Sequence, residues 1–307
     1  GINTYEKALN HWNNHGKKEK RTYKNIINLK NNLDKNKKNI DDIINDSIVL
    51  NNIKQKNNKI YLLSFGNEKY YGALERIKIQ GESFKIFDEI IIVTDKDLQN
   101  NSEYSDFWNT HKDFITHNKR GYGYWIWKSY IILNLLNKIN ENDIIIYVDA
   151  GCNLNINGIK RMIEYIEMVN SCIYGMFAFQ IGGQVHLEKC WTKMDLIHYL
   201  NCNNEKILNS GQIIATSVII KKCDHTIKLI NKWYNISCNY HLLSDEPSVI
   251  PNDITYREHR HDQSILSLLI KIMGGTYIND ETPKFTSNDI PILATRESTN
   301  IIHQMYN

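Results

Sequence analysis

Three runs of almost unbroken apolar residues stand out of a polar chain: "KIYLLSFG" at 59–66, "FDEIIIVTD" at 87–95 and "NDIIIYVDAG" at 142–151. Runs of this length and density read as strands buried on both faces, each closed by a turn residue. Between the first two, "NEKYYGALERIKIQGESFK" sets Tyr71, Leu74, Ile77 and Lys78 along one helical face. Between the second and third, the segment 107–139 is mostly helical in pattern, broken at Gly121 and Gly123. Strand–helix–strand–helix–strand with continuous apolar strands predicts an α/β, Rossmann-like, mostly parallel sheet flanked by helices. Further on, the pattern predicts a helix at 158–170, a strand in "IYGMFAFQ", another in "NSGQIIATSVIIKK", and an amphipathic helix in "HDQSILSLLIKIMG" that ends at Gly274.

Residues 1–58 differ. They are rich in Lys and Asn, with Ile26, Ile27, Leu29, Leu33, Ile40, Ile43 and Ile44 at helical spacing. Three readings stand: helices packed on a main domain at 59–307, a partly disordered leader, or a basic arm for an acidic partner.

In parallel sheets, ligands sit beyond the carboxyl ends of the strands. Ser64, Phe65, Gly66, Asp95 and Asp149 all fall there. Asp149 is a turn or helix-cap residue, or the fixed charge of a metal–diphosphate site. Mg²⁺ or Mn²⁺ on a diphosphate needs only one or two protein carboxylates, and Gly151 would let the backbone approach a ligand. Asp95 and Asp97 in "TDKD" are a solvated turn or a nucleotide contact. In "RGYGYWIWKSY", a helix through the segment would put Tyr124, Trp127 and Lys128 on one face. Arg120 and Lys128 are then charges beside an aromatic loop, suited to phosphate, whereas the tryptophans fit the core as well as a ligand. His259 and His261 in "REHRHDQS" read as a hydrogen-bonded pair more readily than as metal ligands. Gly182 and Gly183, ahead of "WTKMDL", mark either a flexible segment over an acceptor or a surface loop.

Composition narrows the class. The chain has 307 residues, a formal charge of +3 and 42% apolar residues, which suits a globular protein and argues against bulk nucleic-acid binding. No apolar stretch reaches the length of a membrane span, and no secretory pattern opens the sequence. The six cysteines form no metal-finger spacing, so reduced thiols and a cytoplasmic setting are expected, the host cytoplasm if the source is viral.

"YVDAGC" resembles the D-x-D metal signature of GT-A-fold glycosyltransferases. "NSGQIIATSVII" is similar to the N-x-G segment of the retaining family that includes glycogenin-type glucosyl- and galactosyltransferases, and "HDQSILSLL" to its D-Q-x-x-L segment. His303 in "IIHQMYN" sits where that family places a metal ligand. "GYGYWIWK" followed by "YVDAGC" also resembles glycosyltransferase-like proteins of bacteria and large viruses. The order and spacing match over 59–307. The resemblance implies transfer of a hexose, glucose or galactose, from a UDP-sugar to a hydroxyl on a glycan, a lipid carrier or a protein, with retention and with Mn²⁺ or Mg²⁺. It implies Asp149 and His303 as metal ligands, Asn209 and Gly211 at the donor, Lys128 on its phosphate, and Asp262 and Gln263 at the reacting carbon. Asp262 would be the base of an inverting enzyme instead. The second Asp of the signature is here Gly151, so Asn153 or water would have to complete the metal shell. The competing classes are a nucleotide- or glycan-binding module without turnover and a sugar nucleotidyltransferase; for the latter, the loop "SFGNEKYYG" lacks glycine density and an arginine.

Overall fold

The computed structural model describes residues 40–183, 186–283 and 288–298. The chain divides into two compact units, 1–50 and 51–307. Of the first, 40–45 is helical and a second helix, Ile48–Gln55, begins at its end. The helical spacing at Ile26–Leu33 and the expected ligand His303 lie outside the described residues.

The second unit carries six strands in one sheet: β1 (Ile60–Gly66), β2 (Glu89–Thr94), β3 (Ile144–Val148), β5 (Met176–Gln180), β6 (Ser217–Lys221) and β7 (Thr276–Asn279), with β4 (Asn153–Leu154) and β8 (Ile292–Leu293) paired apart. The order is β2-β1-β3-β6-β5-β7. The expected α/β architecture is present, mainly parallel. One strand departs from it: β6 runs antiparallel to both β3 and β5. That reversal brings the loop before β6 to the end of β3 where Asp149 emerges, with Val148 opposite Ser217 and the Asp149 amide donating to the Thr216 carbonyl at 2.8 Å.

The predicted helices form as α1 (Tyr71–Phe84), α3 (Ser105–His117), α4 (Ile126–Lys138), α5 (Ile159–Ser171) and α7 (His261–Met273); α2 (Asp95–Asn100) and α6 (Asp224–Ser237) add to them. On one sheet face Tyr61, Leu63, Ile145 and Tyr147 meet Trp127 and Ile131 of α4, Leu229 and Trp233 of α6, and Leu266 and Leu269 of α7 in one buried cluster. On the other face Gly81 of α1 lies against Leu62, and Tyr165 of α5 stacks on Phe177. Both faces of β3 are therefore covered, and all five of its residues are buried. Two expectations shift. "FDEIIIVTD" forms β2, but at the sheet edge, where Ile90, Ile91 and Ile92 are only half-buried. The glycine-broken helix is interrupted by a left-handed turn: Gly121, Tyr122, Gly123, Tyr124 and Trp125 all have positive φ, between 52° and 84°. The three non-glycine members cost about 1 kcal/mol or more each. Tyr124 thus does not share a helix with Trp127 and Lys128.

What holds that turn is aromatic packing. Trp127 donates its Nε1–H to the Gly121 carbonyl at 3.0 Å and stacks on Phe65 at 3.8 Å. Tyr124 and Trp125 stack on His261 at 4.7 and 5.6 Å. His261 and His259 are buried and tied to the Leu243 and Leu242 carbonyls, so the H-x-H pair is structural.

Burial holds three histidines neutral. His111, between the hydroxyls of Tyr240 and Tyr234, and His261 are each lowered by burial to about 4, and burial puts His259 well below the ordinary range. A lowered folded-state pKa gives stability that is complete above the unfolded value, about 6.5, and lost as pH falls through the folded one. The melting temperature is expected to fall steadily between pH 6.5 and pH 4, measured by thermal denaturation. His111→Gln, which cannot titrate, should flatten part of that slope; an unchanged slope contradicts the assignment.

Candidate functional site

The site is built where β3 ends. Lys128, in the first turn of α4, points into the interior with a side chain 3% exposed. Its ammonium lies 3.0 Å from Asp149 Oδ1 and 3.1 Å from Asp262 Oδ2, and it donates to the Ala215 carbonyl at 3.1 Å. The ammonium is thus surrounded by two carboxylates and a carbonyl. Tyr147, two residues before Asp149 on the same side of β3, donates its hydroxyl to Asp149 Oδ1 at 2.6 Å. Asp262 is buried behind this pair in the first turn of α7, whereas the Asp149 side chain keeps 28% of its surface open.

Electrostatics follow from burial. Desolvation opposes the charge of Lys128, but Asp149 and Asp262 together more than offset it, and its pKa rises above the ordinary lysine value. Burial pushes Asp262 up to about 6 against the pull of Lys128, with Asp149 pushing the same way as burial. Burial, then Asp149, holds the Tyr147 hydroxyl protonated far above its usual range.

Gln263 is anchored at both ends. Its carbonyl accepts from the Ala215 amide at 3.3 Å and its amide donates to Gln212 Oε1 at 2.7 Å. Gln212 in turn reaches Ser264 and Thr192, and Glu188 and Lys271 form a buried pair at 2.7 Å in the same network.

The turn after Asp149 is held by a residue that the sequence pattern passes over. Arg76 of α1 is fully buried and donates from Nη2 to the carbonyls of Ala150, Cys152 and Glu297 at 3.0–3.1 Å. The signal available was a lone arginine between Leu74 and Ile77, inside the apolar stripe of α1. The segment 294–297 closes over the same turn: Glu297 N–H and the Thr295 hydroxyl both donate to the Gly151 carbonyl, at 2.9 and 3.0 Å.

The remaining sequence candidates fall elsewhere. Ser64 is fully buried and donates to the Val148 carbonyl at 2.7 Å, Phe65 lies under Trp127, and Gly66 is buried; none of the three presents a side chain to solvent. Asp95 accepts from the Tyr71 hydroxyl at 2.6 Å, and Asp97 closes a capping box with Thr94 at the start of α2, which accounts for the literal D-x-D there. Arg120 is half-exposed and paired with Asp245 at 3.1 Å and Glu258 at 3.3 Å. Asn209 is exposed and bonded to Glu205. Gly211 has a backbone reason to be glycine: a Cβ there would lie 2.0 Å from the Ile181 carbonyl oxygen. Trp191 is buried rather than part of a surface loop.

A divalent cation fits this donor set poorly. Where the second signature carboxylate would project, a Cβ on Gly151 would meet the Arg296 backbone at 3.4 Å. Asn153 is engaged by Gln80, Thr295 and Glu297. Asp149 Oδ1 already faces an ammonium, which repels a second cation on that oxygen. Among the described residues no group of three His, Cys, Asp or Glu side chains converges to hold a metal.

No protein-family model matches the chain, and no curated protein matches it. Among solved structures, a glycosyltransferase involved in the glycosylation of the major capsid of PBCV-1 is similar at 12% identity over 72% of this chain and 81% of that one, with a TM-score of 0.34. Mouse xyloside xylosyltransferase 1, apo form, is similar at 9% identity over 72% of this chain and 85% of that one, with a TM-score of 0.38. Likeness at this level does not bear on chemistry, and the functional reading rests on the site's own geometry. No helix among the described residues is long and apolar enough to cross a membrane.

Arg76→Met is expected to lower the unfolding free energy by about 3 kcal/mol, because it strands buried carbonyls that a charged donor satisfied. Urea denaturation measures it; a loss below about 0.5 kcal/mol would mean that the staple is dispensable.

Proposed function

We propose that the chain is a GT-A-type glycosyltransferase that moves a hexose from a nucleotide-sugar, a UDP-sugar in the first instance, to a hydroxyl acceptor. One observation carries this reading. Three segments far apart in sequence, which resemble donor-site segments of one transferase family, meet at the end of a buried central strand: Asp149 and Asp262 each lie within 3.1 Å of the Lys128 ammonium, with Gln263 hydrogen-bonded to the strand-flanking Ala215. A rigid strand end is where a preorganised charge is needed.

In this reading Asp149, the open member, faces the donor. Lys128 and Tyr147 fix its rotamer. Lys128 is a positioning residue rather than a phosphate ligand, since it is buried and already paired with two carboxylates. Asp262 lies behind Asp149 and is paired, which disfavours it as a base on an acceptor hydroxyl; retention is the outcome proposed. Gln263, locked by Ala215 and Gln212, borders the same end of β3. No step is routed through a divalent cation, because the described residues offer it one carboxylate oxygen beside an ammonium.

The test is release of UDP from a panel of UDP-sugars without acceptor, water taking the acceptor's place. One sugar should be hydrolysed, Asp149→Asn should reduce the rate by about 100-fold or more in a variant that circular dichroism shows to remain folded, and the acidic limb of the rate should inflect near pH about 6, where Asp262 ionises. Tight UDP binding with no turnover of any sugar, with or without candidate acceptors, would make the chain a binding module instead.

A further inference from the structure

A nucleoside diphosphate brings two or more negative charges to the mouth of β3, and the cations already described cannot meet them. Lys128 is buried and paired with two carboxylates, and Arg76 is sealed behind the turn. Two other guanidinium groups, of Arg296 and Arg260, form no salt bridge with a carboxylate among the described residues.

Arg296 sits on the segment that covers Gly151. Its Cα lies 3.4 Å from where a Gly151 Cβ would be, and its φ of 57° is a left-handed conformation for a branched-chain-free but bulky residue. The flanking bonds from Thr295 and Glu297 to the Gly151 carbonyl hold it in that conformation. Strain of this kind, about 1 kcal/mol, persists where the surroundings impose it. The Arg296 side chain is exposed and makes no hydrogen bond or ion pair with a described residue. Arg260 immediately precedes α7, two residues before Asp262. Its guanidinium lies on the Trp191 ring at 3.8 Å, which fixes its plane and leaves its edge donors available. Burial lowers its pKa, Glu258 offsets part of this, and the charge of Arg296 lowers it further. His186, stacked on the same Trp191 ring at 5.7 Å, is lowered by burial and then by Arg260 and Arg257. Arg260 and Arg296 are near enough for their charges to repel one another, and an anion bound between them would relieve that repulsion.

We propose that Arg296 and Arg260 form a cradle beside Asp149 that binds the donor's diphosphate and supplies the positive charge a divalent cation would otherwise bring. The inference rests on the reading of the donor as a nucleotide-sugar and deepens it: the diphosphate is recognised by planar, bidentate donors, and the loss of the second signature carboxylate at Gly151 is matched by an arginine seated on that glycine.

Isothermal titration of the full chain with UDP, in EDTA and in Mn²⁺, tests it. Affinity in EDTA should stay within about threefold of that in Mn²⁺. Arg296→Gln and Arg260→Gln should each weaken UDP by about 10-fold or more, the worth of a charge-assisted hydrogen bond, with Arg296→Lys recovering part of the loss. Arg296 is exposed, so its variant keeps the fold if Arg260→Gln disturbs the packing on Trp191. Binding that needs Mn²⁺ and ignores both substitutions would overturn the cradle and leave the donor reading standing. Absence of binding to UDP, ADP, GDP and CDP in either condition would overturn the donor reading, and the cradle with it.

Discussion

A single buried ammonium between two carboxylates organises this molecule. Lys128 stands 3.0 Å from Asp149 and 3.1 Å from Asp262, inside a sheet–helix interface that excludes water. Isolated, any of the three charges would be expelled from such a place or neutralised. Together they are tolerated, and they tie three elements to one point: α4 through Lys128, β3 through Asp149 and α7 through Asp262. The Ala215 carbonyl adds the loop before β6 to the same ammonium. Buried pairs of this kind cost desolvation, and their return is specificity of arrangement more than stability.

The rest of the fold serves that meeting. The reversed β6 places Ala215 and Thr216 at the carboxyl end of β3, which a fully parallel sheet would not do. The left-handed turn at 121–125 redirects the chain so that α4 starts with Lys128 facing inward, and its strain is balanced by the stacking of Trp127 on Phe65 and of Tyr124 and Trp125 on His261. Since His261 adjoins Asp262, the same aromatic cluster supports both ends of the Lys128–Asp262 pair. Arg76 fixes the turn that follows Asp149 from beneath, and the segment 294–297 fixes it from the other side. The exposed oxygen of Asp149 is thus the outward end of a rigid, multiply anchored unit.

Much of this was legible in the residues. Apolar runs located β1, β2 and β3, and helical spacing located α5 and α7 to within a residue or two and α1 inside its segment 67–85. The motifs named Asp149, Lys128, Asp262 and Gln263, which the fold brings together. The failures share a physical cause. Strand direction is not written in an apolar run, so the reversal of β6 was invisible. Left-handed backbone at Tyr122, Tyr124 and Trp125 is stabilised by partners distant in sequence, so local spacing broke the helix at the glycines but set Tyr124 on one helix with Trp127 and Lys128. Ser64 and Phe65 sit at a strand end by number but face inward by alternation and packing. Arg120, Asp95 and Asp97 carry the right charge but already have surface or capping partners. Arg76 was hidden because a buried arginine in an apolar stripe looks, by pattern, like a solvated one.

The central claim is that Lys128 and Asp262 are a coupled buried pair, and a double-mutant cycle on stability addresses it most directly. Lys128→Met, Asp262→Asn and the double variant would be compared with the parent chain by urea denaturation at pH 7.5, where Asp262 is ionised. The account predicts that each single change is strongly destabilising, that the double change costs much less than their sum, and that the coupling is about 2 kcal/mol or more. Single losses that add to within about 0.5 kcal/mol would mean that the two groups do not act on one another, and the site built on their meeting would be contradicted.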